Sequence, residues 1–96
     1  MDFLVKIFKA LANQHRIDLL HLLRDGEKEI RELSKKLRLP YKTVARNLKI
    51  LERTNLVVSR RWKGTVYYSL RKEDHLQYNQ MIFRIIEKRY DFTSAS

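Results

Sequence analysis

Lys42, Arg46, Lys49 and Arg53 recur at i, i+4, i+7 and i+11, a spacing that puts four cations on one side of a helix. Like charges at i, i+4 repel by about a few tenths of a kcal/mol, so a solvated helix ordinarily mixes signs. No carboxylate interrupts this row. Glu52 falls instead beside the opposite, apolar row of Val44, Leu48 and Leu51. Four cations in register therefore predict a polyanion that offsets their repulsion, and the two-faced helix is read as the recognition helix of a double-stranded DNA binder. The N-terminal half of such a helix meets base edges. Lys42 and Arg46 can donate to guanine O6 and N7, and the Thr43 methyl can touch thymine. Tyr41, Lys49 and Arg53 are assigned to phosphates, which set register without carrying sequence information.

A second basic cluster, Arg60, Arg61, Trp62 and Lys63 with Thr65, suits a hairpin tip lying along the neighbouring backbone or minor groove, where Arg is favoured. Trp62 can stack on the sugar-phosphate surface or cap a small core, and the sequence leaves both open. Arg31, Lys35 and Lys36, on the preceding helix, should approach phosphates. Other chemistry finds no support. There is no cysteine, so no disulfide, thiolate metal site or nucleophilic thiol. No phosphate-binding glycine loop or nucleophile with a plausible base is visible, and no enzyme activity is expected. Asp18, His21 and Asp25 share a helical face of the kind that is ordinarily just solvated, and His75 with Asp74, Glu87 and Asp91 makes a poor transition-metal site. No metal and no cofactor are expected.

The elements that must position these residues follow from periodicity. Phe3, Leu4, Ile7, Phe8 and Leu11 predict a first helix over residues 2–12. Asn13 is a good N-cap for a second, with Ile17, Leu20 and Leu23 inward and Asp25-Gly26 ending it. Ile30, Leu33 and Leu37 mark a short third helix, and Pro40 suits the first position of the fourth. Asn55 tolerates the left-handed conformation a helix end often needs. The period then changes to two: residues 56–61 and 65–70 read as strands joined across Trp62-Lys63-Gly64, with Val66, Tyr68 and Leu70 on one face. A last helix over 73–90 carries Leu76, Tyr78, Met81, Ile82, Phe83, Ile85, Ile86 and Tyr90, and a frayed tail follows. The result is mainly α with a small β-hairpin, a winged helix-turn-helix in the order α-α-α-α-β-β-α. The helix-turn-helix falls at about 29–53 and the wing at about 56–70.

Ninety-six residues make one domain. The net charge is +10, and it is segregated: residues 28–72 hold 14 Lys and Arg against 3 Asp and Glu, while the two ends are balanced. That is the footprint of a nucleic-acid surface rather than of general solubility. The terminal helices carry more apolar surface than a single core needs, for which about a 100° stripe suffices. The surplus predicts a two-fold homodimer through the first and last helices, with Phe3, Leu4, Ile7, Phe8, Tyr78, Met81, Ile82, Ile85 and Ile86 at the interface. A dimer would read half-sites one helical turn apart in a near-palindromic operator. The amphipathic N-terminus lacks a signal-peptide core and no segment is long enough to span a membrane, so a cytoplasmic location is expected.

The ordered set Ala10-Leu11-Ala12 to Arg16, Glu32-Leu33, Leu37, Thr43-Val44, Arg46, Leu48-Lys49, Leu51, Leu56-Val57, Arg60-Arg61, Val66-Tyr67-Tyr68 and Leu70 resembles the ArsR/SmtB-type transcription factors. The resemblance covers about residues 8–70 and implies a homodimeric, operator-binding repressor. Four departures stand out. Arg38 and Asn55 occupy turns where the family usually has Gly. Ala45, still counted in the DNA surface, replaces a frequent Ser, and Asn47 replaces a frequent His. Gly64 is one place nearer the Val-Tyr-Tyr run than is common. The family's cysteine site on the third helix is impossible here, since residues 29–33 contain no Cys, and its alternative histidine site lacks a second His. Two other readings remain: the same fold as a sensor that releases DNA on binding a small molecule, and a winged helix serving protein or RNA contacts.

Overall fold

The computed structural model describes residues 2–73 and 78–95, with side chains through Asp91. Its elements are α1 (Phe3–Leu11), α2 (Gln14–Leu22), a single 3-10 turn (Leu23–Asp25), β1 (Lys28–Glu29), α3 (Ile30–Leu37), α4 (Tyr41–Arg53), β2 (Val57–Trp62), β3 (Thr65–Leu70) and α5 (Tyr78–Ala95). Local chemistry explains most boundaries. The Asp2 side chain accepts from Val5 N and the Asn13 side chain from Arg16 N, so α1 and α2 each start on a side-chain cap. Glu29 and Glu32 form a reciprocal capping box at the start of α3. Pro40 is the N-cap of α4 rather than its first helical residue: its ψ of 146 is extended, which places its fixed φ one step outside the helix. Gly26, at φ 139 and ψ −177, ends the 3-10 turn in a region essentially closed to other residues.

Both turns flanked by unusual residues are left-handed. Arg38 has φ 54 and Asn55 φ 61. Each closes its helix with a six-to-one bond, Leu39 N to Ser34 O at 3.2 Å and Leu56 N to Leu51 O at 3.0 Å. Ser34 Oγ adds a bond to Leu39 O at 2.5 Å, which fixes the turn between α3 and α4.

The sheet has three antiparallel strands in the order β1-β3-β2. β1 is a two-residue strand that periodicity does not reveal. Trp62 pairs with Thr65, so the wing turn is only Lys63-Gly64 and not the three-residue link expected. With φ 48 and 80, the pair has the mirror-image turn that matches strand twist, and Gly64 takes the second position. The last helix also differs from expectation. Glu73 lies outside it, residues 74–77, including Asp74 and His75, lie outside the described residues, and the helix continues to Ala95. No Gly or Pro in residues 91–95 forces an earlier stop.

Leu19, Leu20, Leu23, Leu33, Val44, Leu48, Leu51, Leu56, Val57, Tyr68 and Ile86 form one core, with every helix but α1 contributing a buried residue to it. Ile7 and Ala10 of α1 are buried as well. Asn79 fixes the start of α5. Its amide donates to Asn55 O at 2.7 Å and Arg71 O at 2.8 Å, tying the helix to the turn after α4 and to the end of β3.

A candidate nucleic-acid interface

α4 is oriented by its buried side. Val44, Leu48 and Leu51 are sealed in the core, and Asn47, 5% exposed, sits beside them. Asn47 donates to Thr43 O at 2.9 Å and accepts from Arg16 Nη1 at 2.9 Å. Arg16 also donates to Ala10 O at 2.5 Å and Lys9 O at 3.3 Å, so one guanidinium ties the end of α1 to the middle of α4. Burial pushes its pKa down from the usual value. The bond from Arg16 to Asn47 spans 31 residues, and no periodicity could have announced it.

With that side fixed, Lys42, Arg46, Lys49 and Arg53 all emerge exposed on the other. Among the described residues Lys42, Arg46 and Arg53 make no ion pair, and Lys49 has only a loose contact with Glu52 at 3.7 Å. Thr43 and Ala45 flank the row half-buried, and Tyr41 is exposed at its start. The wing strands are held against α4 by Ser59, which donates to Glu52 Oε2 at 2.6 Å.

That junction encloses a groove of about 620 Å3 between α3, α4 and the wing, where Arg31, Tyr41, Lys49, Arg61 and Thr65 converge. Lys35 and Lys36, in the last turn of α3, are exposed outside it. The pairing register puts Arg60 and Trp62 on the opposite face of the hairpin from Arg61. Arg60 lies over the Tyr67 ring at 5.0 Å and donates to the Glu27 carboxylate, with Nε to Oε2 at 2.7 Å. That hydrogen bonding holds the Glu27 carboxyl below its usual range. Arg60 is thus the basic wing residue with an internal partner, and Glu27 was not anticipated at this site. Trp62 caps no core: it is 55% exposed, with Lys63 Nζ 5.5 Å from its ring. Arg53 departs from the rest, lining a separate groove against α1.

The apolar surplus divides by helix phase. Ile7 and Ile86, expected at an interface between copies, are instead buried in the protomer at 1% and 6% exposure, and Ile82 packs against its core. Phe3, Leu4, Phe8, Tyr78, Met81 and Ile85 remain exposed, together with Val5. Asp18 and His21 are not a solvated face either. The Tyr90 hydroxyl donates to Asp18, its ring stacks on His21 at 3.7 Å, and His21 Nδ1 meets Glu87 at 2.9 Å. Among the described residues no group of three metal-ligating side chains converges, and no helix is long and apolar enough to cross a membrane.

Known proteins share this arrangement. Residues 13–59 match the profile of the bacterial regulatory proteins of the arsR family. The chain is similar to the transcriptional activator HlyU of Vibrio cholerae, 38% identical over 66 residues that span 69% of this chain and 61% of that protein. It is similar to the HTH-type transcriptional regulator KmtR of Mycobacterium tuberculosis, 33% identical over 69 residues that span 72% of this chain and 53% of the relative. Among solved structures, that of Vibrio cholerae HlyU superposes with a TM-score of 0.78 at 30% identity, covering 92% of this chain and 91% of that one. A homodimeric winged helix-turn-helix DNA-binding domain from Mycobacterium bovis superposes with a TM-score of 0.79 at 29% identity, covering 94% and 80%.

Proposed function

The chain belongs to the arsR family of bacterial regulatory proteins and has its winged helix-turn-helix fold, and from that premise we propose that it is a homodimer that binds a near-palindromic site in double-stranded DNA and represses transcription by excluding polymerase. The observation that carries this reading is the exposed row Lys42, Arg46, Lys49 and Arg53, which among the described residues has no carboxylate partner beyond the loose Glu52 contact of Lys49. Lys42, Thr43 and Arg46 read base edges. Tyr41, Lys49, Arg31, Lys35 and Lys36 meet phosphates, Arg61, Lys63 and Thr65 follow the strand beside the groove, and Ala45 packs close to the duplex. Arg60 reaches the duplex only by exchanging Glu27 for a phosphate.

The dimer forms through the exposed apolar faces of α1 and α5, and the homodimeric Mycobacterium bovis domain supports that assembly. The protein works in the cytoplasm, where its DNA is, and performs no catalysis. Selection of bound duplexes from genomic fragments, followed by anisotropy across salt, tests the reading. A palindromic site bound at least about 10³-fold more tightly than random duplex is the expected result. Uniform, steeply salt-dependent binding with no enriched site would overturn it. The sign of regulation is read from a reporter behind the recovered site: transcription should rise when the gene is deleted. A fall would give this chain an activating role, like that of the transcriptional activator HlyU.

A further inference from the structure

α1 has three faces. Ile7 and Ala10 are buried, and Leu4, Val5 and Phe8 form the exposed apolar side. Lys6 and Lys9, at i, i+3, project from the third side toward the C-terminal end of α4. There they meet Arg16 and Arg53 around an open groove of about 360 Å3 completed by Ile50 and Thr54. Among the described residues no carboxylate lines it. Among the described residues Lys6, Lys9 and Arg53 make no ion pair. Among the described residues the Arg16 guanidinium is bonded to neutral oxygens, those of Ala10, Lys9 and Asn47, and to no carboxylate. Four positive side chains thus converge, and of these Arg16 is the one held by hydrogen bonds across elements of the fold, to Ala10, Lys9 and Asn47.

We propose that this groove is a second phosphate site on the duplex, which extends the DNA surface from α4 onto α1. The proposal rests on the DNA-binding reading of α4. The row from Lys42 to Arg53 covers eleven steps, about 16 Å along the axis at about 1.5 Å per residue, whereas the major groove is about 12 Å wide. With the N-terminal half of α4 among the bases, its Arg53 end therefore stands over the bordering sugar-phosphate strand. Lys6 and Lys9 adjoin Arg53 on that side, as flexible point charges that meet a phosphate without demanding a fixed geometry. A free anion would satisfy the same charges. The duplex is the occupant because Arg53 belongs both to the α4 row and to the lining of this groove. These contacts carry no base information, so they add affinity to every sequence equally.

The test compares the full chain with Lys6→Gln/Lys9→Gln, with Arg53→Gln and with Arg46→Ala, by anisotropy on the selected site and on random duplex between about 50 and 200 mM salt. The double variant should flatten the log–log salt slope by about 2 per protomer, and Arg53→Gln by about 1, with equal loss on both duplexes. Both should keep the wild-type thermal midpoint and sedimentation, whereas Arg46→Ala should lose preference for the site. Wild-type slopes in the double variant and in Arg53→Gln would overturn the groove assignment and leave the α4 reading intact. A wild-type chain that binds no duplex would end both. Shifts at the Lys6 and Lys9 side-chain NMR signals on adding inorganic phosphate at constant ionic strength, undiminished by duplex, would assign the groove to a free anion and overturn the proposal.

Discussion

Arg46 and Lys49 sit three residues apart on one exposed face, yet their substitution should read out differently. Arg46 makes no ion pair among the described residues and lies in the N-terminal half of α4, the half proposed to enter the groove. Arg46→Ala should cost roughly 1–3 kcal/mol on the preferred site and relax specificity there, measured as the ratio of specific to random affinities. Lys49→Ala should weaken both equally, because a phosphate contact carries no sequence. Arg16 works at the same scale but inside the molecule. Arg16→Ala strips donors from two carbonyls at the end of α1 and from Asn47, and should lower stability by about 2 kcal/mol in urea unfolding. Tyr90 responds to alkali. Burial first, then its bond to Asp18, pushes its hydroxyl up to about 12. The folded pKa lies above the unfolded value of about 10. The stabilisation is therefore complete below about 10 and is lost as pH rises toward about 12. Tyr90→Phe should remove that alkaline loss, seen in thermal melts across the interval.

Element by element, local signals were enough wherever a helix had both a cap and a stripe. α4 runs from Tyr41 to Arg53 as its two-faced pattern predicts, because Pro40 and the Asn55 turn bound it and Val44, Leu48 and Leu51 face one core. β1 was invisible for the opposite reason. Two residues, Lys28 and Glu29, become a strand only because Tyr68 and Tyr67 lie opposite them, some forty positions away in sequence. The pairing of Glu27 with Arg60 has the same long-range origin. Helix phase was legible on α4 and blurred on α5, where apolar residues occur all round and only packing separates Ile86 from Ile85. The turn after α3 offers a test of strain. Arg38 is left-handed at φ 54, a conformation that costs a side-chain-bearing residue about 1–2 kcal/mol and glycine almost nothing. Arg38→Gly should therefore stabilise the protein by about 0.5–1 kcal/mol in urea unfolding, after allowing for the added freedom of the unfolded chain.

At the scale of the whole molecule, the large apolar residues left exposed outside the basic surface that holds Tyr41 and Trp62 belong, among the described residues, to α1 and α5, two helices far apart in sequence. Phe8 is 61% exposed, Met81 52% and Ile85 69%, a cost in water that the proposed dimer would remove. The proposed dimer also supplies what one recognition helix lacks. A single α4 reads one half-site, whereas two held rigidly read both at about 34–36 Å separation, and the second contact forms at high effective concentration. Two adjacent residues of α5 separate assembly from folding. Ile85 is largely exposed, so Ile85→Glu should leave a folded chain with a near wild-type circular dichroism spectrum that sediments as a monomer at micromolar concentration. Its affinity for the palindromic site should fall to that for an isolated half-site, while contacts within each half-site persist. Ile86 is 6% exposed in the core, and Ile86→Glu should instead unfold the chain, since a buried carboxylate there has no partner. A dimeric Ile85→Glu variant that binds the full site as the parent does would show that the exposed faces of α1 and α5 are not what joins the two copies.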